Sequence, residues 1–153
     1  MALANIAVLL AKKGKKVLAV DWDLEAPGLD GYFDDYEVSQ TSTKMGLLSL
    51  LERVAVLKKR YNKKPDWRKY VSKVHLSDTE TLDVIWSGSK KNSDYIGSVL
   101  KFDWNDFFEK QDGGPFIESL RNEWKEEYDF ILIDSRTGIT DSGGILPSRC
   151  RIF

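Results

Sequence analysis

Two runs in this chain are apolar with no polar residue in alternation: residues 17–20 (VLAV) and 130–133 (FILI). Such runs read as strands buried on both faces, the pattern of a parallel sheet covered by helices. Each closes on a carboxylate, Asp21 and Asp134. Ahead of the first, Leu3, Ile6, Ala7, Leu10 and Ala11 share one helical face, and Lys12, Lys13 and Gly14 supply a basic last turn with a glycine stop. After it, Asp21, Trp22, Asp23 and Glu25 form an acidic stretch that Pro27 and Gly28 turn away from the strand. Helix, strand and acidic loop in this order make half of a parallel α/β unit.

The pattern continues less evenly. Residues 30–44 are polar and turn-rich and read as a surface loop, whereas Leu47, Leu48, Leu51, Val54, Ala55 and Val56 predict a second amphipathic helix. His75, between Val74 and Leu76, sits in a possible strand, and residues 81–86 form another, stopped by Ser87, Gly88 and Ser89. Tyr95, Ile96, Val99 and Leu100 suggest a short helix, and Asp103 caps a next one carrying Trp104, Phe107 and Phe108. Residues 111–115 read as a turn. Phe116, Leu120, Trp124 and Tyr128 recur at four-residue spacing, a helix that lies on the sheet and delivers the chain into the last strand. The predicted fold class is α/β, a three-layer arrangement of a mostly parallel sheet with helices on both faces.

Composition narrows the function classes. The 153 residues fit one domain, and a net charge of −1 gives no global field toward nucleic acid or a membrane surface. A single Cys150 excludes an internal disulfide framework, and with one His75 there is no Cys/His cluster of the zinc type. No apolar run reaches the length of a membrane span, so the expected location is the cytoplasm. Residues 58–73 hold eight basic residues opposed only by Asp66, interleaved with Tyr61, Trp67 and Tyr70. That pattern suits phosphate contacts with base stacking, but a solvated helix end and loop is the reading the overall charge balance favours, which makes nucleic acid an unfavoured partner.

The chemistry concentrates at the two acidic strand ends. On parallel strands of one sheet these acids converge at the carboxyl edge, where open α/β sheets place ligands. A carboxylate followed by Ser135, Arg136, Thr137 and Gly138 suits a water-coordinated Mg²⁺ beside a phosphate, since Mg²⁺ keeps several waters and uses one or two carboxylates. Rival readings exist. Asp21-Trp22-Asp23 is similar to the aspartate pair of haloacid-dehalogenase phosphatases, with Glu25 where that pattern has Thr or Val. An acid after a strand also suits the ribose contact of Rossmann folds, with no G-x-G-x-x-G here to accompany it.

Taken together, the blocks MALANIAVLLAKKGKKVLAVDWDLEAPGLDGYF, WSGSKKNSDYIGSVLKFDWNDFF and YDFILIDSRTGITDSGGI resemble the ParA/MinD branch of P-loop NTPases, most of all a bacterial subgroup whose phosphate loop reads KGGVGRT just before MALAN. The resemblance covers residues 1–145, with a diverged middle. It implies a P-loop NTPase-like fold and Mg²⁺ and ATP as ligands of the parent family, which hydrolyses ATP as a dimer-linked switch. By position, Asp23 resembles the switch-one aspartate that assists hydrolysis, Asp134 the Walker B aspartate that faces the metal, and Gly138 the switch-two glycine near the γ-phosphate. Asp21 would support the site from the strand end, and Arg136 would contact phosphate or a partner subunit.

The departures carry expectations of their own. The 153 residues begin where the family's phosphate loop ends, so the first strand and the N–H cradle for phosphates are not among them, and neither are the C-terminal strands. Residues 146–153 (LPSRCRIF) read as a non-family tail of the frameshift kind. This chain is therefore expected to be inactive by itself and to bind neither Mg²⁺ nor ATP. The alternative from another class is a non-catalytic protein-interaction module, or a partner of a full-length copy, working through Trp104, Phe107 and Phe108 and the basic segment.

Overall fold

The computed structural model describes residues 2–40, 45–61, 63–88 and 94–135. Arg136, Gly138 and residues 146–153 lie outside the described residues. The strands are β1 (Val17–Asp21), β2 (Glu37–Gln40), β3 (Ser72–His75), β4 (Thr81–Ile85) and β5 (Phe130–Asp134). The helices are α1 (Ala2–Lys12), α2 (Leu47–Tyr61), α3 (Tyr95–Lys101), α4 (Trp104–Lys110) and α5 (Gly113–Glu127). The strands form one sheet in the order β2-β3-β4-β1-β5. β1 pairs in parallel with both β4 and β5, whereas β3 runs antiparallel between β2 and β4. The sheet is thus mixed but mostly parallel, with only β3 reversed. The reason is local: residues 76–80 between β3 and β4 are too few for the crossover that a parallel pair needs. They close instead as a hairpin in which the Leu76 and Ser77 N–H groups donate to the Glu80 carbonyl.

β1 is buried along its whole length, so its alternate residues feed two separate cores. Val17 and Ala19 join Leu3, Ala4, Ala7 and Ala11 of α1 with Val84 and Leu132 on one face. Leu18 and Val20 join Leu47, Leu50 and Leu51 of α2, Phe107 of α4, and Leu120 and Trp124 of α5 on the other. Helices therefore cover both faces. α1 reaches β1 through a reversal at Gly14, whose φ of 75° lies in the left-handed region that glycine tolerates. Because α1 packs back on β1 after this reversal, its N-terminus lies toward the carboxyl end of the strand.

Three segments differ from their sequence pattern. Part of the polar stretch at 30–44 forms a 3-10 turn and the edge strand β2, which its EVSQ sequence fits because an edge strand needs little apolar content. Residues 113–115 open α5 rather than forming a turn. Asp112 takes a left-handed conformation, φ 55°, and Pro115 falls in the first helical turn, where a missing N–H costs nothing. The basic segment is structured: α2 runs to Tyr61, Trp67–Tyr70 is a 3-10 turn capped by the Asp66 carboxylate on the Arg68 N–H, and β3 follows.

α2 is docked at the carboxyl end of β4 by main-chain bonds, the Leu47 and Leu48 N–H groups donating to the Trp86 and Ser87 carbonyls. Gly46 makes that approach possible, since a Cβ there would stand 2.7 Å from the Gly88 Cα and 2.8 Å from the Trp86 oxygen. Backbone cannot yield as a side-chain tip can. Gly46→Ala is expected to lower stability by about 1–3 kcal/mol, read as a lower urea midpoint with unchanged slope. A midpoint equal to that of the parent chain would show that the helix start has room to move.

Candidate functional site

Parallel pairing of β1 with β5 puts Asp21 in register with Asp134. Register partners on neighbouring strands lie roughly 4.8 Å apart and point to the same face. Here that is the face carrying Val17, Ala19 and Leu132, which α1 covers. The two carboxylates thus share one side of the carboxyl edge with the positive end of the α1 dipole. The strands remain tied past their ends, where the Trp22 N–H donates to the Asp134 carbonyl over 2.7 Å.

The three acids have different surroundings. Asp21 is 1 % exposed, and its carboxylate accepts from the Asp23 N–H at 3.2 Å and the Leu29 N–H at 3.3 Å. Both oxygens are thereby used to fold the acidic loop back over the strand end, so Asp21 acts on the site by bracing it. Burial, with the Asp134 charge adding to it, pushes its carboxyl up to about 6 against those two main-chain bonds. Asp23 is half-buried in the loop that Asp21 holds, and its carboxylate caps the turn by accepting from the Ala26 N–H at 3.0 Å. Asp134 is half-buried, and desolvation followed by the Asp23 charge raises its carboxyl above the ordinary range. Of the sequence-derived candidates, Asp21, Asp23 and Asp134 come together; Arg136 and Gly138 fall outside the described residues.

Two neighbours of this edge carry little sequence signal. The Tyr95 hydroxyl donates to the Leu24 carbonyl at 2.8 Å, pinning the acidic loop to α3, and burial pushes its phenol up to about 12. A tyrosine 71 positions away has no pattern that announces such a contact. The Trp22 indole N–H is buried and has no partner among the described residues. A donor left in that state costs about 1–3 kcal/mol.

Chemically, the edge offers half-buried carboxylates facing a helix start. Among the described residues no group of three His, Cys, Asp or Glu side chains is disposed to cage a metal ion. Mg²⁺ does not need such a cage, since one or two carboxylates with waters suffice. The residues present therefore fit Mg²⁺ better than Zn²⁺ or Ca²⁺, which are held by larger sets of protein ligands.

The other candidate regions read differently. Phe107 is fully buried and packs edge-on to Phe108 at 5.1 Å, while Trp104 stacks on Phe108 at 6.1 Å, so this cluster is core. Trp67 and Tyr70 are buried too, with the Trp67 indole donating to Glu123 at 3.0 Å, which leaves neither ring free to stack on a base. Lys64 pairs with Glu123, Arg68 with Glu127 and Lys73 with Asp83. His75 and Ser39 touch at 2.9 Å on β3 and β2, and Ser39 also lines an open cleft of about 470 Å³ with Trp67, Arg68 and Glu127. A cleft of about 690 Å³ opens at the opposite, amino-terminal edge of the sheet, where Lys12, Lys15 and Lys16 face Glu80, Glu126 and Glu127. Its mixed charge selects no ligand class. Among the described residues no helix is long and apolar enough to cross a membrane.

No family model, no curated protein and no solved structure matches the chain.

Proposed function

We propose that the carboxyl edge of β1 and β5 is the metal-facing part of a Mg-nucleotide site, and that the chain is a piece of an ATPase domain of the ParA/MinD type. The observation that carries this reading is the register of Asp21 with Asp134 on the α1 face, with Asp23 held beside them by Asp21. In this arrangement Asp134 would hold the water shell of a bound Mg²⁺ and Asp23 would orient a water toward the phosphate, while Asp21 keeps the loop that carries Asp23 in place. Mg²⁺, when bound, supplies the positive charge that offsets charge developing on the phosphates. The N-terminal end of α1 favours the same anions.

The test is calorimetric. The 153-residue chain alone is expected to give no heat with Mg-ATP, whereas the same chain preceded by the KGGVGRT loop binds it. In that extended protein Asp134→Asn weakens binding by about 10-fold to 100-fold, the loss expected for one charged contact of about 1.5–3 kcal/mol. Absence of binding by the extended protein would overturn the nucleotide reading.

An interaction module has its own supporting observation, at residues other than the buried aromatics. Ile96 and Leu100 stand one turn apart on α3, 70 % and 81 % exposed. An extended protein without nucleotide affinity, whose solubility rises on Leu100→Lys, would favour that reading.

A further inference from the structure

The carboxyl end of β4 is packed without slack. A Cβ on Gly46, just ahead of α2, would stand 2.7 Å from the Gly88 Cα, and a Cβ on Gly88 would overlap the Tyr95 ring. The start of α2, the end of β4 and that ring are therefore stacked in direct contact, at a spacing only glycine permits.

Tyr95 is the buried residue of α3, while Ile96 and Leu100 on the same helix face outward. Its ring belongs to the core that also holds Leu24, Leu47 and Leu48. A phenylalanine would fill that place equally well, so what the hydroxyl adds is its bond to the Leu24 carbonyl, which has no other donor among the described residues. Burial, opposed by the Ser87 hydroxyl and helped by the charges of Asp21, Asp23 and Asp30, pushes the phenol up to about 12, and the group stays a donor through the neutral range.

Leu24 is the residue after Asp23. From the strand side, Asp21 grips the same loop by the Asp23 and Leu29 N–H groups. From the α3 side, Tyr95 grips it by a carbonyl. Asp23 lies between the two grips.

We infer that Tyr95 is a positioning residue for Asp23: its hydroxyl locks the acidic loop to α3 and so fixes how Asp23 addresses the carboxyl edge. The inference rests on the nucleotide reading for the task of Asp23, whereas the lock stands on the geometry of Tyr95, Leu24 and Gly88. Loop and α3 then open as one unit, and a displacement of α3 is a displacement of Asp23.

Hydrogen exchange in the 153-residue chain tests the lock. The Leu29 amide, bonded to Asp21, and the Ser98 amide of α3, bonded to the Asp94 carbonyl, are expected to share one opening free energy across a urea series. Independent opening of the two in the unmodified chain would overturn the inference, and this measurement needs no variant to fold. In Tyr95→Phe the Asp23 and Leu29 amides are expected to exchange about tenfold faster and out of step with Ser98. Tyr128→Phe loses a comparable hydroxyl bond, to Asp83 at the opposite edge, and should leave all three in step. In the protein extended by the KGGVGRT loop, Tyr95→Phe is expected to lower kcat for Mg-ATP about tenfold with KM within about twofold, because a misplaced Asp23 affects the attacking water and not the bound nucleotide. An unchanged kcat there would overturn the positioning role and leave the nucleotide reading intact. An extended protein that binds no Mg-ATP would overturn the nucleotide reading and the task of Asp23 with it, and the exchange result would still decide the lock.

Discussion

Phe107→Ala is expected to lower the unfolding free energy by about 3–5 kcal/mol, the range for emptying a fully buried phenylalanine site. The ring is 0 % exposed and lies within 5.4 Å of the Phe102 ring and 5.1 Å of the Phe108 ring, centre to centre. It also sets the start of α5, since a Cβ on Gly113 would stand 2.3 Å from two of its ring carbons. Collapse into the hole would have to move α4 and α5 together, so little of the cavity can close. A domain holds about 5–15 kcal/mol in all, so a loss of this size takes about a fifth of the total or more. Urea unfolding followed by tryptophan fluorescence measures it. A change below about 0.5 kcal/mol, the size of an ordinary surface substitution, would mean that the aromatic cluster is not core and is free to meet a partner.

The second large effect is in pH. Asp21 titrates near 6 in the folded chain against an ordinary value of 3.8, so the folded state holds that proton more tightly than the unfolded state does. Stability from this group therefore falls as pH rises between those two values, by up to about 3 kcal/mol at about 1.4 kcal/mol per pH unit of displacement. Asp134, raised by burial, slopes the same way. Glu123 slopes the other way, because the Lys64 ammonium holds its carboxyl down. The Asp21 share is isolated by Asp21→Asn. Relative to the parent chain, the variant should gain up to about 3 kcal/mol between pH 4 and pH 7, offset at every pH by one lost acceptor for the Asp23 or Leu29 N–H. Urea midpoints at the two pH values give the difference. A gap between the two proteins that does not change with pH would show that Asp21 is solvated and that the loop is braced by something else.

The parts of the fold legible in sequence are those where burial on two faces writes an unbroken apolar run. β1 and β5 were visible as VLAV and FILI, and their closing acids placed both at one carboxyl edge, whereas their direct pairing is seen only in the structure. β2 was not visible, because an edge strand with one exposed face needs no apolar signature, and EVSQ has only Val38 to offer. The start of α5 was hidden by Gly113 and Gly114. Their turn-like composition reflects the close approach of Phe107, which no local pattern records. At the site, Asp21, Asp23 and Asp134 could be named from their places at strand ends, but their division of labour could not. That Asp21 spends both oxygens on main-chain donors depends on the path of residues 24–29 back to Leu29, and that the Tyr95 hydroxyl holds Leu24 depends on tertiary packing.

The place of β1 in the sheet also bears on how the chain is made. Its two neighbours are encoded late: β4 begins at Thr81, and β5 closes on β1 where Lys16 meets Asp129, 113 positions on. A ribosome adding about 5–20 residues per second leaves β1 without its β5 partner for roughly 6–23 s. Until β4 is made VLAV has both edges open, and from then until β5 is made it has one edge open. The growing chain is thus a natural client for a factor that binds short extended hydrophobic segments. Its yield should depend more on the speed of elongation through residues 22–130 than on the equilibrium stability of the finished sheet.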